Sequence, residues 1–407
     1  MANNNYSGKR WLYLAVGTVL LIFCGLIYGW SLFKAPFGEI YTDWSLSQLS
    51  MTFTISMIFF CLGGFIAGKM SAKIKPNKII MMSAVLLLVG FVGVSRMDPA
   101  NSSMSLPMLY VFYGVFAGTG VGFSYNGVIS SMNKWFPDKQ GLASGIMMMG
   151  FGLGALILGS IATSLIAAKG ILTTFMILGI MIFVVLMIGS FFIKNPEVTE
   201  PAASEKTEAP AVPSMTTGEM LKSFSFWIFF IWCVVANAAG LMVIGNAASI
   251  AVLFGAPAIV GMVVSVCNGA GRVIIGAIFD KIGRKMTMLI NVMILLAAGI
   301  VLVLGAKTTA VAIVIIGLVC TGLTYGGNPT ITSAFISKQY GPVNFPVNFS
   351  IANFSLIPAA IVGPMVASSL ITAANGSYIT TFMTMVGCGV VALILWVVLN
   401  AACRKEA

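Results

Sequence analysis

The feature that most constrains this chain is a succession of long apolar runs, each separated from the next by a short polar connection. Charged residues make up only 8% of the 407 residues, and apolar residues make up 59%. A soluble domain has roughly 25% charged residues, so water cannot be the solvent for this much apolar surface. Since about 20 apolar residues span a bilayer as a helix, the chain has room for about twelve spans. We predict an all-α polytopic membrane protein.

The apolar runs divide into two groups of six predicted spans. The first group lies at 11–33, 48–68, 78–96, 106–133, 141–168 and 171–193, and the second at 224–250, 257–279, 286–306, 308–337, 343–373 and 378–402. Residues 194–222 include four prolines and several glutamates, which is typical of a polar linker. The predicted domains are an N-terminal six-helix bundle (1–193), a cytoplasmic linker (194–222) and a C-terminal six-helix bundle (223–407).

Basic residues fall mainly on one side of the predicted spans. That side holds 17 of the 22 lysines and arginines, and the opposite side holds four. Because Lys and Arg near span ends are retained in the cytoplasm, both termini and the linker are predicted to be cytoplasmic, in the cell membrane. The net charge of +11 then reflects basic residues that mark the cytoplasmic side of the spans, and no nucleic-acid partner is predicted.

One basic residue, Arg272, is left inside a predicted span, eight residues before Asp280. Burying an arginine in a bilayer costs about 2.5 to 3.5 kcal/mol, so something must offset the charge, and the sequence places no carboxylate at this depth. An anionic substrate would do so, since the guanidinium fork binds a carboxylate through two hydrogen bonds. Asn268 would share its helix face. The alternative is a structural arginine bonded to backbone carbonyls and water.

Several functions are disfavoured by the residues that are missing. The chain has no histidine, the commonest general base and metal ligand. A Ser-His pair is thereby excluded, and the two membrane carboxylates of an aspartyl protease are absent. We therefore predict no enzyme activity, no metal site and no cofactor.

Small and aromatic residues interrupt several spans. Glycines recur at four-residue spacing in 114–122, and five more occur in 145–159, a pattern typical of close helix packing. The run 325–329, Y-G-G-N-P, predicts a loosened helix in span 10, because proline removes a backbone hydrogen bond and paired glycines weaken their neighbours. Three tyrosines occupy mid-span positions, where each hydroxyl needs a partner or water: Tyr28, Tyr125 and Tyr325.

An internal repeat links the two groups of spans. The loop after span 8 reads G-A-I-F-D-K-I-G-R-K from Gly276, and the loop after span 2 reads G-K-M-S-A-K-I-K from Gly68. Two related halves are expected of a transporter in which one half rocks against the other around a central site.

At these residues the chain resembles the major facilitator superfamily. The stretch from Gly276 is similar to the family's signature between spans 8 and 9, and its copy after span 2 lacks the usual Asp at Ala72. More narrowly, W-F-P-D-K-Q-G-L-A-S-G from Trp135, together with Arg272, resembles the oxalate:formate antiporter family, relatives of the monocarboxylate porters. The resemblance implies twelve transmembrane helices in two pseudo-symmetric six-helix halves.

The resemblance also implies roles for individual residues, with Arg272 binding the substrate carboxylate. Oxalate carriers of the family add a lysine in span 11, where the matching region of this chain reads I-A-N-F over 351–354 and has no basic residue; a single positive charge favours a monocarboxylate. Animal monocarboxylate porters have an Asp where this chain has Asn268, which leaves the route of a coupled proton open. The predicted binding residues are Arg272, Asn268, Tyr28, Tyr125, Tyr325 and Asn353, and the signature loops contain Gly276, Asp280, Gly283, Arg284, Gly68, Trp135, Asp138 and Lys139.

The predicted function is secondary active transport of small monocarboxylate anions (lactate, pyruvate, formate) by alternating access, as anion exchange or proton-linked symport. The alternatives are an oxalate:formate-type dicarboxylate antiporter and, from another class, an anion channel or uniporter. Expected partners are a small carboxylate, the lipid bilayer and a proton or counter-anion, and the chain is expected to act as a monomer. In the inward-closed form, Asp280 is expected to bind helix-end amides of span 11 or Arg284.

Overall fold

The computed structural model describes residues 7–196, 214–257 and 260–406, and the regular elements in these ranges are helices. A helix satisfies its own backbone polar groups, which a span in lipid requires. The helices are α1 (Ser7–Cys24), α2 (Trp30–Ile40), α3 (Leu46–Met70), α4 (Pro76–Ser95), α5 (Ser102–Leu109), α6 (Gly118–Trp135), α7 (Gln140–Lys169), α8 (Ile171–Ser190), α9 (Thr217–Lys222), α10 (Phe224–Ile244), α11 (Ala247–Leu253), α12 (Val260–Thr308), α13 (Val311–Tyr340), α14 (Phe345–Asn353), α15 (Leu356–Ala373) and α16 (Ile379–Glu406). A 3-10 segment, Gly25–Gly29, joins α1 to α2, and a π-helical segment, Tyr110–Ala117, joins α5 to α6.

Eleven helical stretches of the described chain are long and apolar enough to cross a membrane. One of them, Val263–Thr308, is about twice the length that a span needs. It is interrupted at Gly283, which has φ 76° and ψ 177°, a conformation that favours glycine. This interruption falls between predicted spans 8 and 9, so the stretch provides both of them. The predicted all-α membrane fold is confirmed.

The described residues form two compact units. The first contains the described parts of Met1–Asp138, Leu158–Met220 and Phe335–Ser350. Within it, α4 packs against α8 and α6, and α3 packs against α6. Trp30 is buried in this unit, where its Nε1 donates to the Leu49 carbonyl at 2.7 Å and its ring centroid lies 4.7 Å from that of Tyr113.

The second unit contains the described parts of Lys139–Ile157, Leu221–Ala334 and Ile351–Ala407. Within it, α10 packs against α15 and α16, and α12 packs against α16. The first part of α7 thus belongs to the second unit and the rest of α7 to the first. The division into 1–193, 194–222 and 223–407 stays a prediction, and residues 197–213 of the predicted linker lie outside the described residues.

Three buried asparagines connect three helices of the second unit. The Asn291 amide donates to Asn328 Oδ1 at 2.8 Å, and the Asn328 amide donates to Asn237 Oδ1 at 3.3 Å. These bonds join α12, α13 and α10. The loosening predicted at 325–329 does not end the helix, because α13 continues through Pro329. A proline is tolerated in a membrane helix that packs against neighbouring helices, and Asn328, the residue before this proline, bonds to two of them.

Candidate functional site

Arg272 lies in α12 and is buried, with 4% of its surface exposed. Its Nε donates to Asn268 Oδ1 at 3.4 Å, and its Nη1 donates to the backbone carbonyl of Met148 in α7. Asn268 therefore shares the face of Arg272, as the one-turn spacing predicts. Within the described residues no carboxylate pairs with this guanidinium. The guanidinium therefore donates its hydrogen bonds to two neutral acceptors.

The backbone of α7 approaches the guanidinium because α7 carries glycines on that side. A Cβ placed on Gly152 would lie 3.1 Å from Arg272 Cζ and 3.3 Å from both Nη1 and Nη2. About two turns earlier on the same side of the helix, a Cβ on Gly145 would overlap the carbonyl oxygen of Arg272 itself. The sequence predicts packing for this glycine run but not the two groups that touch the arginine, the Met148 carbonyl and Gly152.

Two further predicted binding residues belong to the same unit as Arg272. Tyr325 lies in α13 and is half-buried, and a Cβ on Gly240 would lie 2.8 Å from its Cδ2, so its ring packs on α10. The next residue, Gly326, has no room for a Cβ because the Asn268 carbonyl occupies that place. Asn353 is the last residue of α14 and is 7% exposed.

The other two predicted binding residues belong to the first unit. Tyr28 is half-buried in the 3-10 segment, and its ring centroid is 6.5 Å from that of Phe53. Tyr125 lies in α6 and is buried, with ring centroids 5.1 Å from Phe60 and 6.1 Å from Phe349. Tyr125 is therefore packed between two phenylalanines. The binding roles of both tyrosines stay predictions.

Asp280 binds the first amides of α7. Its Oδ1 accepts from Gly141 N at 2.9 Å and its Oδ2 accepts from Leu142 N at 2.8 Å. A carboxylate at a helix N-terminus satisfies unpaired donors and is stabilised by the helix dipole. The expectation that these amides belong to span 11 is wrong, since α7 is span 5, and the alternative partner, Arg284, stays a prediction. The order of spans along the chain does not reveal which helix end faces a given loop.

The two copies of the repeated loop have equivalent glycine contacts. A Cβ on Gly276 would overlap the carbonyl oxygen of Gly141 in α7. A Cβ on Gly68 would lie 2.6 Å from the carbonyl oxygen of Pro346 in α14. Each signature glycine thus lets another helix approach backbone to backbone. Only the copy with Asp280 adds a carboxylate, since Ala72 takes that place in the other.

The remaining signature residues lie near helix ends. Trp135 Nε1 donates to the Lys194 carbonyl at 2.6 Å, and Asp138 pairs with Arg10 at 2.9 Å. The Asp138 pair is solvent-exposed, so it contributes about 0 to 1 kcal/mol. Lys139 is exposed, and Arg284 is half-buried directly after the interruption at Gly283. We infer no role for either side chain from these positions.

Comparison with protein-family models matches residues 19–356 to the Major Facilitator Superfamily. The chain belongs to the major facilitator superfamily. It is therefore a multi-pass membrane protein and a secondary transporter, and its family is one of transporters rather than enzymes.

Individual sequence relatives indicate which transporters of the superfamily the chain resembles. The chain is 29% identical over 360 residues to the Escherichia coli protein named uncharacterized MFS-type transporter YhjX, covering 86% of each chain. It is 28% identical over 347 residues to the oxalate:formate antiporter of Oxalobacter formigenes, covering 83% of this chain and 80% of that one. The predicted resemblance to the oxalate:formate antiporter family is confirmed. The proton:xylose symporter XylE matches with a TM-score of 0.72 over 97% of this chain and 96% of its own, at 14% identity, which supports the fold alone.

Proposed function

We propose that this transporter carries small monocarboxylate anions of the lactate, pyruvate and formate class, and that Arg272 binds their carboxylate. The observation that carries the proposal is a buried guanidinium whose neighbours are neutral. Its Nη1 and Nε have acceptors, while Nη2 has no hydrogen-bond partner among the described residues. A carboxylate at Nη2 gains a charge-assisted hydrogen bond and offsets the buried charge.

A single charge supports a monoanion as the preferred substrate. Among the described residues, Arg272 is the one charged side chain that is fully buried. A dianion bound here leaves its second carboxylate without a positive partner, which is costly in a low-dielectric site. Asn353, which lies in the region that resembles the lysine-bearing part of span 11 in oxalate carriers, is neutral. Oxalate exchange is the second candidate, favoured by the likeness to the oxalate:formate antiporter.

We further propose that transport is coupled, and we favour exchange of anions over proton symport. An empty carrier must reorient with its guanidinium held only by neutral acceptors. Moving an uncompensated charge through an occluded form raises the barrier, and each 1.4 kcal/mol slows the step about tenfold. A bound carboxylate removes most of this cost. Asn268 does not titrate, so it offers no carboxyl group for a travelling proton.

Uptake into proteoliposomes tests this function. Vesicles loaded with formate or lactate are expected to take up the labelled anion about tenfold faster, or more, than empty vesicles, because the loaded carrier returns with its charge compensated. Initial rates are measured with and without a proton gradient, and protein-free vesicles are the control. Equal uptake into loaded and empty vesicles with no effect of the gradient contradicts both forms of coupling and indicates a uniporter. Faster exchange of oxalate than of lactate and formate contradicts the monocarboxylate preference.

Asn353→Lys is expected to shift the preference towards dicarboxylates. The new ammonium supplies the second positive charge that a dianion lacks in the wild-type protein. The ratio of oxalate to formate uptake is expected to rise about tenfold, and Asn353→Gln, which keeps an uncharged amide, is the matched control. An unchanged ratio in a folded Lys variant contradicts the placement of Asn353 beside the substrate.

We also propose that the chain is a monomer in the cell membrane with both termini in the cytoplasm. The unequal distribution of lysines and arginines supports this orientation. Protease protection of a C-terminal tag in right-side-out vesicles tests it, and cleavage of the tag in intact vesicles contradicts it.

A further inference from the structure

We propose that Gly152 is a positioning residue for the carboxylate site, holding the Arg272 guanidinium flat on the backbone of α7 so that Nη2 stays available to the ligand. This inference rests on the proposed function of Arg272. Gly152 does not touch the carboxylate in this arrangement. It acts by leaving empty the space that a Cβ would take.

The distances around Gly152 define the orientation of the guanidinium. A point above the centre of this planar group is nearest to Cζ and equally distant from Nη1 and Nη2. A point in the plane, beyond the two nitrogens, is nearer to them than to Cζ. A Cβ on Gly152 would be 3.1 Å from Cζ and 3.3 Å from each Nη, which matches the first case. The flat face of the guanidinium therefore lies against α7.

The same glycine makes the Met148 carbonyl reachable. In an α-helix the carbonyl of one residue points towards the residue four positions later, which here is Gly152. A side chain at position 152 would stand beside that carbonyl, where Nη1 of Arg272 now donates. Two contacts, the flat face and the Nη1 bond, thus depend on the absence of a Cβ at one position. Together with Asn268 at Nε, they leave Nη2 as the nitrogen without a described protein partner.

Gly152→Ala must therefore move the guanidinium by a few tenths of an ångström. Hydrogen bonds weaken steeply as their angles depart from linear, so a displaced fork meets the carboxylate less well. We expect the dissociation constant for formate and lactate to rise about tenfold while the maximal exchange rate changes by less than about threefold. Gly387→Ala is the matched control, because Gly387 also lies within a helix, α16, and a Cβ there meets nothing within 4 Å.

A double-mutant cycle separates positioning of the arginine from general packing. Lysine has no planar group to hold, so adding Gly152→Ala to Arg272→Lys is expected to change the dissociation constant by less than about twofold. An equal tenfold loss in both backgrounds overturns the inference, since Gly152 then acts through something other than the guanidinium. A Gly152→Ala variant with wild-type affinity overturns it as well.

A second measurement does not depend on the substrate. Phenylglyoxal modifies arginines, and mass spectrometry of the peptides gives the modification rate of each one. Gly152→Ala is expected to change the rate at Arg272 at least about threefold and to leave Arg284 unchanged, which also verifies that the variant is folded. An unchanged rate at Arg272 overturns the inference. If the wild-type protein binds neither lactate nor formate, the proposed function fails, and the labelling result still decides the role of Gly152.

Discussion

Arg272→Lys is expected to lower the affinity for formate and lactate about 10-fold to 100-fold while the protein still inserts and folds. Lysine keeps the positive charge but has neither the fork nor the flat face that lies on Gly152. It cannot bond at once to the Met148 carbonyl, to Asn268 and to a carboxylate in the geometry of the arginine. A hydrogen bond to a charged group contributes about 1.5 to 3 kcal/mol, which sets the expected range.

The effect of Arg272→Lys is measured as the dissociation constant of the purified protein and as exchange in proteoliposomes. Arg96→Lys is the control. It makes the same chemical change at an exposed residue that follows the end of α4. Wild-type affinity in a folded Arg272→Lys variant contradicts the ligand role. The arginine would then be structural, held by the Met148 carbonyl and Asn268.

Asp280→Asn is expected to slow exchange about tenfold while the affinity for the substrate changes by less than about threefold. Asparagine offers one acceptor oxygen to two amides, and its own amide group would face either Gly141 N or Leu142 N, donor against donor. It also loses the favourable interaction between a negative charge and the N-terminus of α7. The form in which α7 and Asp280 are joined becomes less stable, so the population shifts towards forms in which they are separated.

Accessibility labelling of a cysteine introduced near Leu142 measures the shift caused by Asp280→Asn. The labelling rate is expected to rise in Asp280→Asn and to stay unchanged in Asp98→Asn. Asp98 is a matched control because it is an exposed carboxylate that accepts from a single backbone amide, Ala100 N, at 2.9 Å. Equal labelling of the wild-type and Asp280→Asn proteins contradicts the role of the Asp280 contact with α7 in stabilising one form of the transporter, even if transport is slower.

The fold was predictable because the bilayer imposes a length on every span. Apolar runs of that length locate the helices, and Gly283 separates two of them within one continuous stretch, where the signature loop predicts a boundary. The continuity of α13 through Pro329 was not predictable. Asn237 and Asn291, which bond to Asn328 beside this proline, come from distant parts of the chain and have no pattern of their own.

The sequence predicts side chains of the candidate site but not the backbone groups that bind them. Arg272 is conspicuous as a charge inside an apolar run, and the one-turn spacing of Asn268 follows from helix geometry. The Met148 carbonyl and the amides that bind Asp280 are backbone groups, which every residue has, so no residue type marks them. Gly152 could be noticed in the sequence only as one glycine among several, since the contact that distinguishes it comes from another helix.

The contact between Arg272 and the Met148 carbonyl has a consequence for mutational tolerance. The acceptor belongs to the main chain, so no side-chain replacement at position 148 can remove it. Met148 can therefore be replaced by apolar residues that pack similarly without loss of this acceptor. Position 152 has no such freedom, because every replacement adds a Cβ. In a saturation library selected for growth on the substrate, the buried position 148 should therefore accept apolar residues of similar volume, and position 152 should return glycine.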